Sequence, residues 1–220
     1  MELATWIRTR RDQLFAHTEL LLVLAAVFLA SPDRLSVSIG LIPFLLGIAL
    51  KIWSLGYAPA GKELGDVGPY RFLRYPSVLS TLLTLIGIVF AARSFPLAVI
   101  VIAWSAVQAS MKVRWQIIEG HGSEDVSFPR YQAMVPALIP NLLPYSKAGG
   151  EAFNWRLILH EQHRAWVQTL VTQILAYIWF SVVLLEPFWA QYTWVAGIAL
   201  SLFTVWQSMA NRSQWKQVKP

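Results

Sequence analysis

The sequence predicts an all-α fold, a polytopic bundle of about six transmembrane helices with both termini in the cytoplasm. Three observations predict it: an apolar composition, a series of long uncharged runs and an uneven distribution of Lys and Arg. Hydrophobic residues make up 56% of the 220, charged residues only 14%, and the mean hydropathy is +0.49. A water-soluble surface is hard to assemble from such a chain, so the composition favours a membrane protein.

Six uncharged runs are candidates for the spans. Four of them, at 75–92, 94–111, 165–185 and 187–211, are long enough as they stand, because a helix crosses the hydrocarbon core with roughly 17–25 residues. Two shorter runs, at 20–32 and 35–50, reach that length if Glu19 and Lys51 lie near the inner interface. Their charged ends would then extend into the polar layer. On that condition the count is six.

The distribution of Lys and Arg sets the orientation. The connections between spans lie alternately on the two sides of the membrane. On one side the only basic residues are Arg34 and Arg93, and Lys51 belongs to a span. The other basic residues lie in the N-terminal segment, in the connections 57–74 and 112–164, and in the tail. Cationic loops stay in the cytoplasm, so these segments are predicted to be cytoplasmic. The outer connections are then tight turns at Ser31-Pro32-Asp33, Ser94-Phe95-Pro96 and Glu186-Pro187, where proline ends a helix.

Charge and cysteine content exclude several classes of function. The net charge of +6 indicates attraction to anionic lipid and control of topology rather than a nucleic-acid partner. The chain has no cysteine, which excludes disulfides, thiolate metal sites and a cysteine nucleophile. His160, Glu161 and His163 form a compact polar group, but no further ligands stand nearby, so no metal site is predicted.

Two glycines suggest a division of the chain. Lys147-Ala148-Gly149-Gly150 separates a four-span unit, residues 1–147, from a two-span C-terminal extension, residues 151–220. The N-terminus, with its arginines before an apolar stretch, is interpreted as part of a retained first helix because further spans follow it.

Polar and special residues concentrate in two cytoplasmic segments. One is 65–76, which leads into the third span; the other leaves the fourth span at 112–119 and continues through 128–140. Spans three and four form a tight hairpin, so their cytoplasmic ends are neighbours and Arg74 and Glu119 are predicted to approach each other. The residues alone leave open two interpretations, an interfacial pocket and a basic helix flank with a solvated acid.

The order of these residues resembles that of a known family. Gly68-Pro69-Tyr70-Arg71 and Arg74-x-Pro76 precede a span pair, Glu119 follows it, and Tyr131 and Val135-Pro136-x-x-Ile139-Pro140 close the segment. Over roughly residues 40–145 this is similar to the isoprenylcysteine carboxyl methyltransferase-like membrane methyltransferases, to which the phospholipid N-methyltransferases are related.

The resemblance implies a helical membrane enzyme that binds S-adenosylmethionine at the cytoplasmic face and methylates a lipid-soluble acceptor from the bilayer. It assigns catalysis to Arg74 and Glu119. The residues that it implies for cofactor binding are Tyr70, Arg74, Tyr75, Pro76, Glu119, Tyr131, Pro136 and Pro140.

The chain departs from the family pattern at several polar positions. Tyr75 stands where the family has histidine, Val78 where it has tyrosine, and Ala137 where it has arginine. Without the histidine, a carboxylate acceptor is slightly favoured over an amine, because an amine must first lose a proton. Two alternatives stay open: a catalytically silent protein that binds lipid or a partner, and an NADPH-dependent membrane reductase. The oligomeric state is not predicted.

Overall fold

The computed structural model describes residues 18–57, 67–120, 131, 133–145, 153–158, 164–185, 192, 195–203 and 205. For residues 109, 112–120, 164, 165 and 183–185 it describes the backbone alone. All regular secondary structure in these ranges is helical, and none of the described residues lies in a strand. The predicted all-α class is confirmed.

Each helix overlaps one of the predicted uncharged runs. We label them α1 (Thr18–Phe28), α2 (Arg34–Gly56), α3 (Pro76–Ala92), α4 (Phe95–Gly120), α5 (Arg164–Leu185) and α6, which is described over 195–203. A 3₁₀ turn, Gly68–Arg71, precedes α3, and a single helical turn, Trp155–Ile158, precedes α5.

One described helix has both the length and the composition of a membrane span. This is α2, with 23 residues and a mean hydropathy of 2.1. The apolar stretches of the other helices are shorter, at Thr18–Phe28, Pro76–Ala92, Phe95–Gln108 and Trp166–Val182. The helices are therefore consistent with membrane association, and the count of six spans stays a prediction.

The chain forms two compact units. The first comprises Met1–Ile42, Gly87–Ala98 and Ala165–Pro220, and the second comprises Pro43–Ile86 and Val99–Arg164. The first unit thus contains residues from both sides of the predicted division. The division itself, at Lys147–Gly150, lies outside the described residues and stays a prediction.

In the first unit, two of the predicted turns are joined. Ser31 N–H donates to the Ala92 carbonyl (2.9 Å), and the Arg93 guanidinium forms an ion pair with Asp33 (2.8 Å). Asp33 also caps α2, since its Oδ1 accepts from Ser36 N–H (2.7 Å) while Ser36 Oγ accepts from Asp33 N–H (3.0 Å). This reciprocal pair satisfies N–H groups that an open helix end leaves unbonded. The third predicted turn, Glu186-Pro187, lies outside the described residues.

Polar side chains also join helices inside the first unit. Gln173 Nε2 on α5 donates to Glu19 Oε1 on α1 (2.6 Å), and Glu19 is completely buried. One turn further along α5, the Tyr177 hydroxyl donates to the Val37 carbonyl on α2 (2.6 Å). The side chain of Glu19 thus has a hydrogen-bond partner within the protein. Its predicted position near the inner membrane interface stays a prediction.

In the second unit, α2 and α3 approach each other closely at Gly47. A Cβ placed there would lie 2.6 Å from the Thr84 nitrogen and 2.8 Å from the Ser80 carbonyl oxygen, both backbone atoms. Small residues permit such close approach of helix backbones. One turn beyond Gly47, Lys51 is only 1% exposed. Its side chain is therefore enclosed by protein, and its predicted position near the inner membrane interface stays a prediction.

Candidate functional site

The predicted site segment before α3 is a tight, proline-containing turn in the second unit. Gly68 opens it with a φ of +47°, a left-handed conformation that favours glycine, and the Tyr57 ring occupies the space where a Cβ would stand. Pro69 follows at the start of the 3₁₀ turn, and its carbonyl accepts from Phe72 N–H and Leu73 N–H, each at 3.1 Å. Tyr70, in the same 3₁₀ turn, is buried. The Gly68-Pro69 pair of the motif therefore has a clear structural role.

Main-chain hydrogen bonds join this segment to the closing segment. Arg74 N–H donates to the Pro136 carbonyl (2.9 Å) and Tyr75 N–H to the Ala137 carbonyl (3.3 Å). In the opposite direction, Asn141 N–H donates to Phe72 (2.9 Å) and Tyr145 N–H to Arg71 (3.0 Å). The two segments that sequence analysis singled out thus lie side by side.

We call this hydrogen-bonded contact between residues 71–75 and 136–145 the joint. A buried tyrosine adds a side-chain link to it. The Tyr131 hydroxyl donates to the Tyr70 carbonyl (2.9 Å), and Tyr131 is 5% exposed. Its ring packs edge-on against Tyr145 with centroids 5.5 Å apart. Two of the predicted cofactor residues, Tyr70 and Tyr131, therefore support the backbone of the site by packing and hydrogen bonding.

Arg74 precedes the first residue of α3, Pro76, by two positions. The side chain is half-buried, with Cζ 5.9 Å from the centroid of the buried Tyr75 ring. Its Nε is buried and has no hydrogen-bond partner in the described part of the chain. A buried N–H without a partner is costly, so this donor favours an acceptor group such as a carboxylate.

The second predicted catalytic residue, Glu119, lies near the end of α4. Its side chain is outside the described part of the structure, and so is that of Trp115 at the same end. The approach of Arg74 and Glu119 therefore stays a prediction. Pro76 begins α3 and is buried, Pro136 is half-buried and Pro140 is exposed.

An apolar pocket of about 240 Å³ adjoins the joint. Its lining consists of apolar side chains and one amide: Leu50, Trp53, Pro69, Phe72, Leu73, Leu79, Pro140 and Asn141. The α2 residues Leu50 and Trp53 were not among the predicted site residues. Nothing in their local pattern separates them from other apolar residues of a span, so only the packing of α2 beside the turn identifies them.

Two departures from the family pattern have structural consequences. Tyr75 and Val78 are 5% and 2% exposed, so both belong to the packed interior. Ala137 contributes its backbone carbonyl to the joint. Any residue at that position has this carbonyl. No group of three metal-binding side chains occurs among the described residues, and His160–His163 fall outside them.

The described residues thus form helices and connecting turns, with one apolar helix of membrane-spanning length and two hydrogen-bonded loop segments beside an apolar pocket. No family model matches the chain, and comparison with curated proteins and with solved structures likewise returns no match.

Proposed function

We propose that this protein is a multi-pass membrane enzyme that transfers a methyl group from S-adenosylmethionine to a lipophilic acceptor at the cytoplasmic face. In this proposal the chain crosses the bilayer six times with both termini inside. The uncharged runs and the one-sided distribution of Lys and Arg support that topology. The resemblance of the Arg74-x-Pro76 and Val135–Pro140 segments to membrane methyltransferases supports the reaction.

One observation supports the proposal most: a cationic segment and a proline-rich segment are hydrogen-bonded together beside an apolar pocket. Methyl transfer from a sulfonium requires a polar cofactor and the acceptor held roughly 3–3.5 Å apart in a dry site. A pocket lined almost entirely by apolar side chains suits an aliphatic chain, and Arg74, which follows the lining residue Leu73 in the chain, suits an anionic group.

The residues present fit such a cofactor at Arg74. When bound, S-adenosylmethionine supplies an electrophilic methyl group. The buried Nε of Arg74 has no other partner among the described residues and would donate to a carboxylate of the cofactor or the acceptor. Glu119 would bind the cofactor's ammonium or ribose. A carboxylate acceptor is already ionised at neutral pH, so its methylation needs no general base, in keeping with tyrosine at position 75.

A second candidate is a protein that binds a lipid or a partner without catalysis. The burial of Tyr75 and Val78 favours it, because two positions that carry polar groups in the family pattern are here part of the interior. The same apolar pocket would serve a binding protein equally well.

Calorimetry and thermal shift on the purified protein in detergent test the proposal. We expect heat and a rise in Tm with S-adenosylmethionine or S-adenosylhomocysteine. Arg74→Ala should weaken binding by about tenfold or more, the worth of a charge-assisted hydrogen bond. It should change the free energy of unfolding by less than about 0.5 kcal/mol, since main-chain bonds hold the segment.

Matched variants make the test specific. Arg156→Ala replaces an exposed arginine of the same unit, and it should leave binding unchanged. Glu119→Gln should weaken binding, whereas Glu124→Gln should not. Absence of any heat or shift with either ligand sinks the methyltransferase proposal and favours the binding protein. A shift with NADPH alone supports a reductase.

A further inference from the structure

A short loop of the second unit exposes an unusual amount of apolar surface. This apolar loop, residues 138–144, contains Ile139, Leu142 and Leu143, with 79%, 97% and 79% of their surface exposed. They are three of the four most exposed large hydrophobic residues in the described ranges. Contiguous exposed apolar side chains mark a surface that contacts something other than water.

The sequence around the apolar loop identifies what it contacts. No charged residue occurs from 131 to 146, whereas Arg130 precedes this stretch and Lys147 follows it. An apolar stretch with basic residues at both ends suits insertion at a lipid interface, where the cations remain in the headgroup layer. The six consecutive exposed residues 139–144 carry no charge, unlike those of a typical water-exposed loop.

Three of the seven backbone positions of the apolar loop have no unbonded N–H group. Non-helical backbone is costly in lipid because its N–H and C=O groups need partners. Pro140 and Pro144 have no N–H, and Asn141 N–H is bonded to the Phe72 carbonyl. The Asn141 side chain in turn donates to the Met134 carbonyl (3.1 Å). The loop is thus pinned at its centre to the turn before α3, with its leucines pointing away from the protein.

We propose that the apolar loop inserts into the cytoplasmic leaflet of the membrane, with Ile139, Leu142 and Leu143 among the upper parts of the acyl chains. Pro140 and Asn141 also line the apolar pocket. One wall of the pocket is therefore built on a segment in contact with lipid. The inference rests on the membrane topology proposed above and is independent of methyl transfer.

Because the chain has no cysteine, a single introduced cysteine reports the surroundings of one position. Leu142→Cys is labelled with a fluorophore, and the protein is reconstituted in phosphatidylcholine–phosphatidylglycerol vesicles. The vesicles carry a nitroxide quencher on the upper acyl chain, and iodide is added as the aqueous quencher. We expect the nitroxide to remove most of the fluorescence and iodide to remove little, since interfacial segments insert about 5–10 Å.

Two control positions of the same unit separate the possible outcomes. Leu45→Cys, on an exposed face of α2, reports whether α2 lies in lipid, and Arg156→Cys reports an exposed position outside the loop. If iodide quenches the label at 142 as strongly as the label at 156, the apolar loop is in water and the inference is wrong. If neither quencher reaches it, a second copy or a protein partner covers the loop, which also overturns the inference.

The control on α2 distinguishes this failure from failure of the topology. Lipid quenching at 45 without lipid quenching at 142 rejects the loop insertion alone. Absence of lipid quenching at both positions rejects the membrane topology as well. Leu143→Cys repeats the measurement at the neighbouring residue, so an effect of the label at one site does not decide the result.

Discussion

The two units of the molecule hold their parts together by different chemistry. In the first unit, side chains make three of the described long-range links, Gln173 to Glu19, Tyr177 to the Val37 carbonyl, and Arg93 to Asp33, beside one main-chain bond from Ser31 to Ala92. In the second unit, the site is joined mainly by backbone N–H and C=O groups, between residues 71–75 and 136–145. The identity of the side chain therefore matters for stability in the first unit, and the path of the backbone matters in the second.

This difference bears on function. A site whose backbone is fixed by main-chain bonds leaves a half-buried side chain such as Arg74 available for a ligand, and Arg74 and Ala137 can change without loss of these bonds. Preorganised backbone of this kind supports a functional site.

The largest effect is expected from breaking the buried side-chain link of the first unit. Glu19→Leu removes this hydrogen bond from the Gln173 amide, and Gln173→Leu removes it from the Glu19 carboxyl. A buried polar group deprived of its partner costs about 1–3 kcal/mol, so each single variant should lose that much stability. Denaturant unfolding in mild detergent measures it.

The double variant Glu19→Leu/Gln173→Leu is the control for that prediction. Removal of both partners leaves neither group of the pair unsatisfied, so its cost should be clearly less than the sum of the two single costs. Strict additivity would show that the two side chains do not depend on each other, and the first unit would then not differ from the second in the way described.

A smaller effect is expected from breaking one main-chain bond of the site. Asn141→Pro removes the N–H that donates to Phe72, whereas Asn141→Ala keeps it, and both variants lose the side-chain bond to Met134. The proline variant should be less stable than the alanine variant by about 1 kcal/mol. Thermal unfolding of the two proteins in the same detergent gives the difference; equal stability would mean that this backbone bond does not hold the loop.

Sequence analysis predicted the parts of this fold that local pattern determines. The apolar runs locate the helices. The position of residues 70–76 near the end of α4, which the hairpin of spans three and four indicates, stays a prediction. Sequence analysis did not predict the partner of Glu19, because Gln173 lies 154 residues away and only packing brings the two together. An acid at the end of an apolar run is usually interfacial, which is why Glu19 was expected there. Leu50 and Trp53 were likewise missed because only the packing of α2 beside the turn brings them to the pocket.

The smallest expected effect concerns the exposed link of the first unit, the pair of Asp33 and Arg93. The pKa of Asp33 is lowered below 3.8, chiefly because its carboxylate accepts a hydrogen bond from the Ser36 backbone N–H. The Ser36 hydroxyl and the Arg93 charge lower the pKa further, and partial desolvation opposes them. Because the folded-state pKa is the lower one, the ionised carboxylate stabilises the fold above pH 3.8, and this contribution is lost as the pH falls through the folded value.

Asp33→Asn isolates this contribution, because asparagine also caps a helix but carries no charge. The wild-type Tm should exceed that of the variant slightly at neutral pH, and the gap should close as the pH falls below 3.8. Added salt should narrow the gap, since the ion pair is exposed, with 64% and 43% of its side-chain surfaces accessible. A gap that stays constant with both pH and salt would show that Asp33 acts only as a neutral cap. The buried Glu19–Gln173 pair would then be the first unit's stabilising link, and the contrast with the main-chain joint of the second unit would rest on that pair and on Tyr177.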